Sequence, residues 1–361
     1  MNNRTKILYI KQKNSSFIVN DQAILEKEYD VKSFLALENK NIFKYSKTLF
    51  KLFCFLVLNS KNTKFYITWF VGYHTVMMVI VGKLLRKKTI IFAGGSESIC
   101  YPELGKGVYQ NKFRAKLAKY ALKNADLIIP NHKSLIYHEN SFYRPDNPKK
   151  DGIKHYIPKI KTKMEIVYNG FDVSVFNRDN SITKDSNTVI TVVGGLILKA
   201  DFFNKGNDLF IEVARRNKHI NFIHIGFKKE FIPWLEDNYK ISEIPNLKIV
   251  LNPITLDELV CYYNKAKVFY MISITEGMPN VISEAMLCEC VVVGSNVNGI
   301  PDAIGGNGVI VYNRDINEVE AAIQTALKLD TGISGREYTI NNFTIEQREN
   351  KILNLLKSNI I

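Results

Sequence analysis

Short apolar runs rich in Val, Ile, Phe and Tyr recur along the chain, separated by longer stretches whose apolar residues return every three or four positions. The runs read as strands buried on both faces, and the stretches between them as helices packing one side onto a sheet. Strands are predicted at Lys6–Ile10, Tyr66–Trp69, Thr89–Phe92, Leu127–Pro130 and Glu165–Tyr168. A second series follows at Val189–Val193, Ile220–Ile225, Leu247–Leu251, Val268–Ile272, Val291–Gly294 and Gly308–Val311. Such alternation predicts parallel, doubly wound α/β sheets. It starts afresh near Val189, after the polar stretch Asn177–Thr188, which reads as an interdomain linker. Two Rossmann-like domains are therefore expected: residues 1–176 joined by a last helix at about 345–361, and residues 177–344.

Two apolar segments raise the question of a membrane. Phe65–Gly82 approaches the length of a bilayer span, but Gly72, Tyr73 and His74 break it, so a buried strand followed by a core-facing helix, Thr75–Leu85, is the expected reading. Thr48–Leu58 is unusually apolar for an exposed helix and follows Lys44 and Lys47. It fits either an ordinary helix on the first sheet or an interfacial membrane helix. No secretory signal opens the chain, and its five cysteines match no disulfide framework, so a cytoplasmic setting is expected.

Charge separates the two halves. Of the net +14, residues 1–177 carry +17 and residues 178–361 carry −3. A basic half points to a polyanion partner. No zinc finger, RNA-binding signature or recognition helix accompanies the charge, so an anionic membrane surface is expected rather than nucleic acid.

The richest chemistry lies in Val268–Ile304. A strand runs into Ser273–Pro279, and a helix is predicted to begin around Asn280. Unpaired amides at a helix start can hold phosphate. Gly277 permits close approach of a ligand, and Pro279 sets the turn into the helix. Glu276 on the loop and Glu284 one turn inside the helix can face one cleft at two depths, although acids near a helix start also occur for electrostatic reasons alone.

The pattern Glu276-Gly277-Met278-Pro279-Asn280 with Glu284-Ala285-Met286 resembles the E-x7-E signature of the retaining family 4 glycosyltransferases. Further matches are Asn252-Pro253-Ile254 with Leu259, Tyr263 and Ala266, the turn Gly299-Ile300-Pro301-Asp302, and Val167–Asp172 with Phe176. The resemblance implies a GT-B fold, two Rossmann-like domains facing across a cleft, and transfer of a sugar with retention from a nucleotide-sugar to a saccharide acceptor. It assigns Glu276 to the donor sugar and Glu284 to the ribose, with Gly277, Pro279 and the amides of Met278, Asn280 and Val281 facing sugar and diphosphate. Ile254 falls on the donor side. Gly194 and Gly195 end the first strand of the second domain, and Lys205-Gly206 follows, so Lys205 is expected to neutralise the diphosphate. Neither a cofactor nor a metal ion is implied.

Two departures stand out. The family usually has Arg after the strand-end Gly where this chain has Gly195, and Lys199 is the nearest substitute in sequence. The first domain offers Asn14-Ser15-Ser16 in place of a Gly-Gly loop. Ser15, Ser16, Gly94, Gly95 and Glu97 are acceptor-side candidates, with Glu97 as a possible proton acceptor and His74 and His132 as further candidates. A lipid-linked saccharide at the cytoplasmic face of the cell membrane would suit the basic half. Two rivals stay open: a degenerate, non-catalytic GT-B scaffold, and a nucleotide-sugar epimerase. Cys288 and Cys290 form a C-x-C pair with no second pair to complete a metal site.

Overall fold

The computed structural model describes residues 4–39, 41–196 and 198–358. The chain divides into two compact units. The first comprises residues up to His138, Lys150–Gly170 and the chain from Glu346 on; the second comprises Glu139–Lys149 and Phe171–Ile345. The division thus falls at 170/171 instead of 176/177, and hydrogen bonding shows why. The Phe171 amide donates to Phe343 O, and Phe171 O accepts from the Ile345 amide, tying this segment to the end of the second unit. Residues 139–149 join the same unit, where Asn140 Nδ2 donates to Ile274 O at 2.7 Å. Nor is Asn177–Thr188 a loose linker: Asn264 bonds Asp179 N and Asn177 O, and Lys184 Nζ donates to the Ala266 and Cys288 carbonyls.

The first unit contains β1 (Lys6–Lys11), α1 (Ser16–Glu26), β2 (Asp30–Leu35), α2 (Ile42–Leu58), β3 (Thr63–Trp69) and α3 (Tyr73–Leu84). After these come β4 (Lys88–Ala93), α4 (Lys112–Asn124), β5 (Leu127–Pro130) and a short β6 (Lys163–Met164). Its parallel sheet has the order β2-β1-β3-β4-β5-β6, with Ile7 opposite both Val31 and Phe65. Strand β2 escaped the sequence reading because it is an edge strand whose residues are all exposed or half-buried, without an apolar run. The strand expected at Glu165–Tyr168 lies earlier, at β6, although Glu165 and Val167 amides still bond Ile128 O and Pro130 O. Leu52 and Leu56 of α2, Met78 and Val79 of α3, and Ala121 and Leu122 of α4 pack with Leu8, Ile10, Tyr66 and Ile91 of the sheet. Each such Leu, Ile, Val or Met side chain contributes about 1.5–3 kcal/mol through burial. Phe65–Gly82 is β3 plus α3, and among the described residues no helix is long and apolar enough to cross a membrane.

The second unit runs β7 (Asp185–Leu196), α5 (Lys199–Asn204), α6 (Asn207–Arg216), β8 (Asn221–Phe227), α7 (Ile232–Tyr239), β9 (Leu247–Leu251), α8 (Leu256–Lys265) and β10 (Ala266–Met271). It continues with α9 (Asn280–Leu287), β11 (Val291–Ser295), α10 (Ile300–Ile304), β12 (Gly308–Val311), α11 (Ile316–Lys328) and α12 (Gly332–Asn342). The sheet is parallel in the order β9-β8-β7-β10-β11-β12. The last helix, α13 (Ile345–Lys357), belongs to the first unit from Glu346 onward. There Arg348 is buried in a bidentate pair with Asp21 of α1, at 2.6 and 2.7 Å, and donates to the carbonyls of Val167 and Tyr168.

Strand order locates the binding edges. In an open α/β sheet ligands collect beyond the carboxyl ends of the strands, where the winding reverses. That switch point lies between β1 and β3 in the first unit and between β7 and β10 in the second.

Candidate active site

Strand β10 is fully buried except Lys267 and delivers the chain into the loop Ser273–Pro279 at the second unit's switch point. Neighbouring segments hold this loop from several sides. Ile274 N donates to Asn204 O, Asn140 donates to Ile274 O, Glu276 N donates to Asn298 Oδ1, and Gly299 N donates to Gly277 O. Pro279, in extended conformation, caps α9. Gly277, Met278 and Pro279 are buried, whereas Glu276, Asn280 and Val281 are partly accessible. A fixed loop with a few accessible groups is preorganised for a ligand.

Lys205 leaves the end of α5, and Gly206 turns the chain into α6 with φ of +68°. A side chain at 206 would meet Ile272 O at 2.3 Å, so this turn requires glycine. Tyr270 Oη donates to Gly206 O at 2.6 Å and fixes the turn against β10. As a result Lys205 Nζ donates to Glu276 Oε1, with both side chains partly accessible. The two residues expected to act on the donor, 71 positions apart in sequence, are thereby brought together.

Glu284 lies one turn into α9 and accepts from Tyr263 Oη at 3.3 Å. Burial pushes its carboxyl pKa up to about 7, while the tyrosine hydrogen bond pulls the other way. Nearby, Thr275 Oγ1 and Ser283 Oγ are buried without a hydrogen-bond partner among the described residues. Such atoms cost roughly 1–3 kcal/mol each when left unsatisfied, so incoming hydroxyls would be favoured there.

Gly194 and Gly195 end β7, and Gly195 has φ of +66°. Lys228 Cε and Asn252 Nδ2 each stand 3.3 Å from the position that a Cβ on Gly195 would take. The cationic side chain that stands against Gly195 is thus that of Lys228, from the turn after β8. Lys199 instead places its ammonium over the Trp234 ring, 5.1 Å from the centroid. Ile254, partly buried, sits two residues beyond Asn252 on the turn into α8. Nothing in sequence spacing singles out Lys228, because its approach depends on the pairing of β7 with β8. The C-x-C pair plays no part in this site: Cys290 is buried and its thiol donates to Tyr263 O at 3.1 Å.

In the first unit, Gly94 and Gly95 follow β4, and their amides donate to Glu97 Oε1 while Ser96 Oγ donates to Oε2 at 2.9 Å. Glu97 is fully buried, and burial raises its pKa against the pull of these bonds. Its carboxylate bonds its own loop through the Gly94 and Gly95 amides and Ser96 Oγ. His74 is also buried, with its pKa lowered to about 4, and lies 3.1 Å from Gln12 Nε2. His132 is buried and accepts from Ser134 N at 3.1 Å. Ser15 precedes α1 with its hydroxyl buried and unpartnered among the described residues, and Ser16 is exposed. At the β1/β3 switch point the unit has a cavity of about 570 Å³, lined by Gln12, Lys13, Glu38, Phe70, Ser96 and Arg114 among others. Of these only Ser96 adjoins a residue marked by the sequence, because the rest come from loops without a motif and, for Arg114, from the first turn of α4.

Comparison with known proteins bears on the fold. Residues 187–329 match the family model described as Glycosyl transferases group 1. The solved structure of Anabaena HepE in complex with UDP superposes with a TM-score of 0.68 at 15% identity, over 97% of this chain and 99% of that one. Sucrose-phosphate synthase from Thermosynechococcus elongatus gives 0.71 at 17% identity, over 98% of each. The chain has the GT-B fold of glycosyltransferases, and its second unit carries the group 1 match. Serotype-specific mannosyltransferase WbdA of Escherichia coli is 31% identical over 74 residues, 20% of this chain and 9% of that protein. The matched stretch thus spans about a tenth of that curated relative.

Proposed function

We propose that the chain is a retaining, family 4 glycosyltransferase that moves a sugar from a nucleotide-sugar to a saccharide acceptor, with the second unit holding the donor. The pairing of Lys205 with Glu276 at a held loop, directly before α9, carries this reading. Donor phosphate at that place meets the amide end of α9 and the ammonium of Lys205, and Lys228 supplies the charge that the family takes from arginine. As the sugar–phosphate bond breaks, negative charge grows on the diphosphate, and these fixed positive groups stabilise it more than the ground state. Glu276 turns to the sugar, and Glu284 accepts from the ribose hydroxyls. With this charge supplied by protein groups, no divalent ion is required.

The acceptor is proposed to be a lipid-linked saccharide of cell-surface polysaccharide or glycolipid assembly, met by the first unit at the inner face of the cell membrane. The UDP-bound HepE structure makes UDP-sugars the first donors to try, and the mannosyltransferase relative makes mannose a sugar to include. A thermal-shift screen against UDP-, GDP-, ADP- and TDP-sugars, with chelator present, tests the donor side. A rise in Tm with one donor, lost in Lys205→Ala and Glu284→Ala, is expected. No rise with any donor would favour a non-catalytic GT-B subunit instead.

A further inference from the structure

Helices α2, α3 and α4 form one layer, α2 packing on α3 and α3 on α4. The solvent side of such a layer is ordinarily polar and of mixed charge. Here the three helices contain Lys44, Lys47, Lys51, Lys83, Lys112, Arg114, Lys116, Lys119 and Lys123, and no Asp or Glu. Their outward stripes are apolar between these cations. On α2, Phe43 and Phe50 are 84% and 66% exposed, and Leu58 closes the stripe at the helix end. On α3, Ile80 and Leu84 lie one turn apart on the outward side, 39% and 74% exposed. On α4, exposed Phe113 and Tyr120 alternate with Lys116 and Lys123 at helical spacing. The inward positions Leu52, Leu56, Met78 and Ala121 fill the core, whereas Phe43, Phe50, Ile80, Leu84 and Phe113 are exposed outside it.

We propose that this three-helix face docks on an anionic phospholipid bilayer, with its aromatic and aliphatic side chains in the headgroup region and its lysines among lipid phosphates. The chemistry decides the occupant. A second copy of the same face would oppose nine cations with nine, and a nucleic acid would leave Ile80, Leu84 and Leu58 without a partner. A negatively charged interface satisfies both the cations and the apolar stripe. Two acids of the unit are engaged in ion pairs: Glu38 with Arg114 at 3.8 Å, and Asp126 with Lys88 at 3.2 Å. The biological purpose of docking rests on the membrane-linked acceptor proposed above, whereas the binding itself needs no donor.

Flotation of the full chain with vesicles of phosphatidylcholine, alone or mixed with phosphatidylglycerol, tests the proposal without any nucleotide-sugar, so its failure is separate from failure of the donor screen. Binding only to the mixed vesicles, weakened by salt, is expected. Phe50→Ser with Phe113→Ser should reduce it at least about tenfold, and each of Lys47→Glu, Lys51→Glu and Lys116→Glu by about fivefold or more. Lys218→Glu with Lys328→Glu, exposed in the second unit, should leave binding unchanged. Unchanged Tm in the variants shows that they remain folded. Absence of binding by the wild type, full retention in the Phe pair, or stronger binding to nucleic acid than to vesicles would overturn the proposal. So would a dimer in sedimentation that the Phe pair dissociates.

Discussion

The two units have sheets of equal size, yet they are wound differently and written differently in sequence. The second has the order 3-2-1-4-5-6 in its own strands and places Gly195, Lys205, Glu276 and Lys228 around one switch point. The first has the order 2-1-3-4-5-6 and opens at its switch point into a cavity lined by loop residues and by Arg114 of α4. If the second unit holds the donor, as proposed, a diphosphate and a ribose present the same groups whatever the sugar, and such a unit can reuse the same residue types at the same strand ends. An acceptor varies in shape and polarity, which leaves its loops without a common pattern. Charge divides along the same line, with the excess of cations in the first half and near-balance in the second.

The largest effect expected from breaking one side alone is on stability of the first unit. Arg348 and Asp21 are buried, with two hydrogen bonds between them, and the guanidinium also lies 5.6 Å from the Trp69 ring centroid. Arg348→Met leaves a buried carboxylate unpaired and should cost about 3–5 kcal/mol. Urea unfolding would read it. A change confined to one of two transitions would show units that unfold independently; one shared shift would show a single cooperative block.

On the other side, Lys205→Ala should lower turnover about 10²- to 10³-fold, as expected for loss of a group that meets developing charge. Glu276→Gln should fall in the same range, and the double variant should cost less than the product of the two because the side chains pair in the resting site. Full activity in either single variant would remove the pair from the mechanism.

Glu284 joins function to stability with opposite signs. The folded protein holds its proton up to about pH 7, against an ordinary value near 4.5. The protonated form therefore favours folding below pH 4.5, and this advantage is lost as pH rises through 7. Glu284→Gln should raise stability at pH 8 by roughly 1–3 kcal/mol and leave it nearly unchanged at pH 4.5. The same substitution should weaken donor binding. Equal Tm gains at both pH values would show that the carboxyl does not titrate where burial places it.

What could be read from the sequence follows the same division. Central strands such as β4 and β10 are apolar runs, and burial on both faces makes them legible. Edge strand β2 has only one neighbour and keeps polar residues, so it was missed. Glu276 and Glu284 were visible because loop and helix fix their spacing. Glu97 was visible too, but its spacing could not show that Gly94 and Gly95 amides already consume its carboxylate. Lys228 was hidden for the converse reason, since strand pairing and not chain proximity carries it to Gly195.

Lys228 also gives the smallest and most discriminating test of the donor site. If its ammonium replaces the missing arginine, Lys228→Ala should raise the donor KM about tenfold, equivalent to one charge-assisted contact of about 1.4 kcal/mol. Lys199→Ala, whose ammonium lies over Trp234, should change it by less than about threefold. Lys228→Arg should recover most of the loss, because a guanidinium can reach the same phosphate with more donors. The reverse ranking, with Lys199 dominant, would mean that the cation–π contact is given up on donor binding and that Lys199 swings to the diphosphate. Titration with UDP alone separates the cases further. A lysine that meets phosphate should matter for UDP and for the whole donor alike, whereas one that meets only the sugar should leave UDP binding intact.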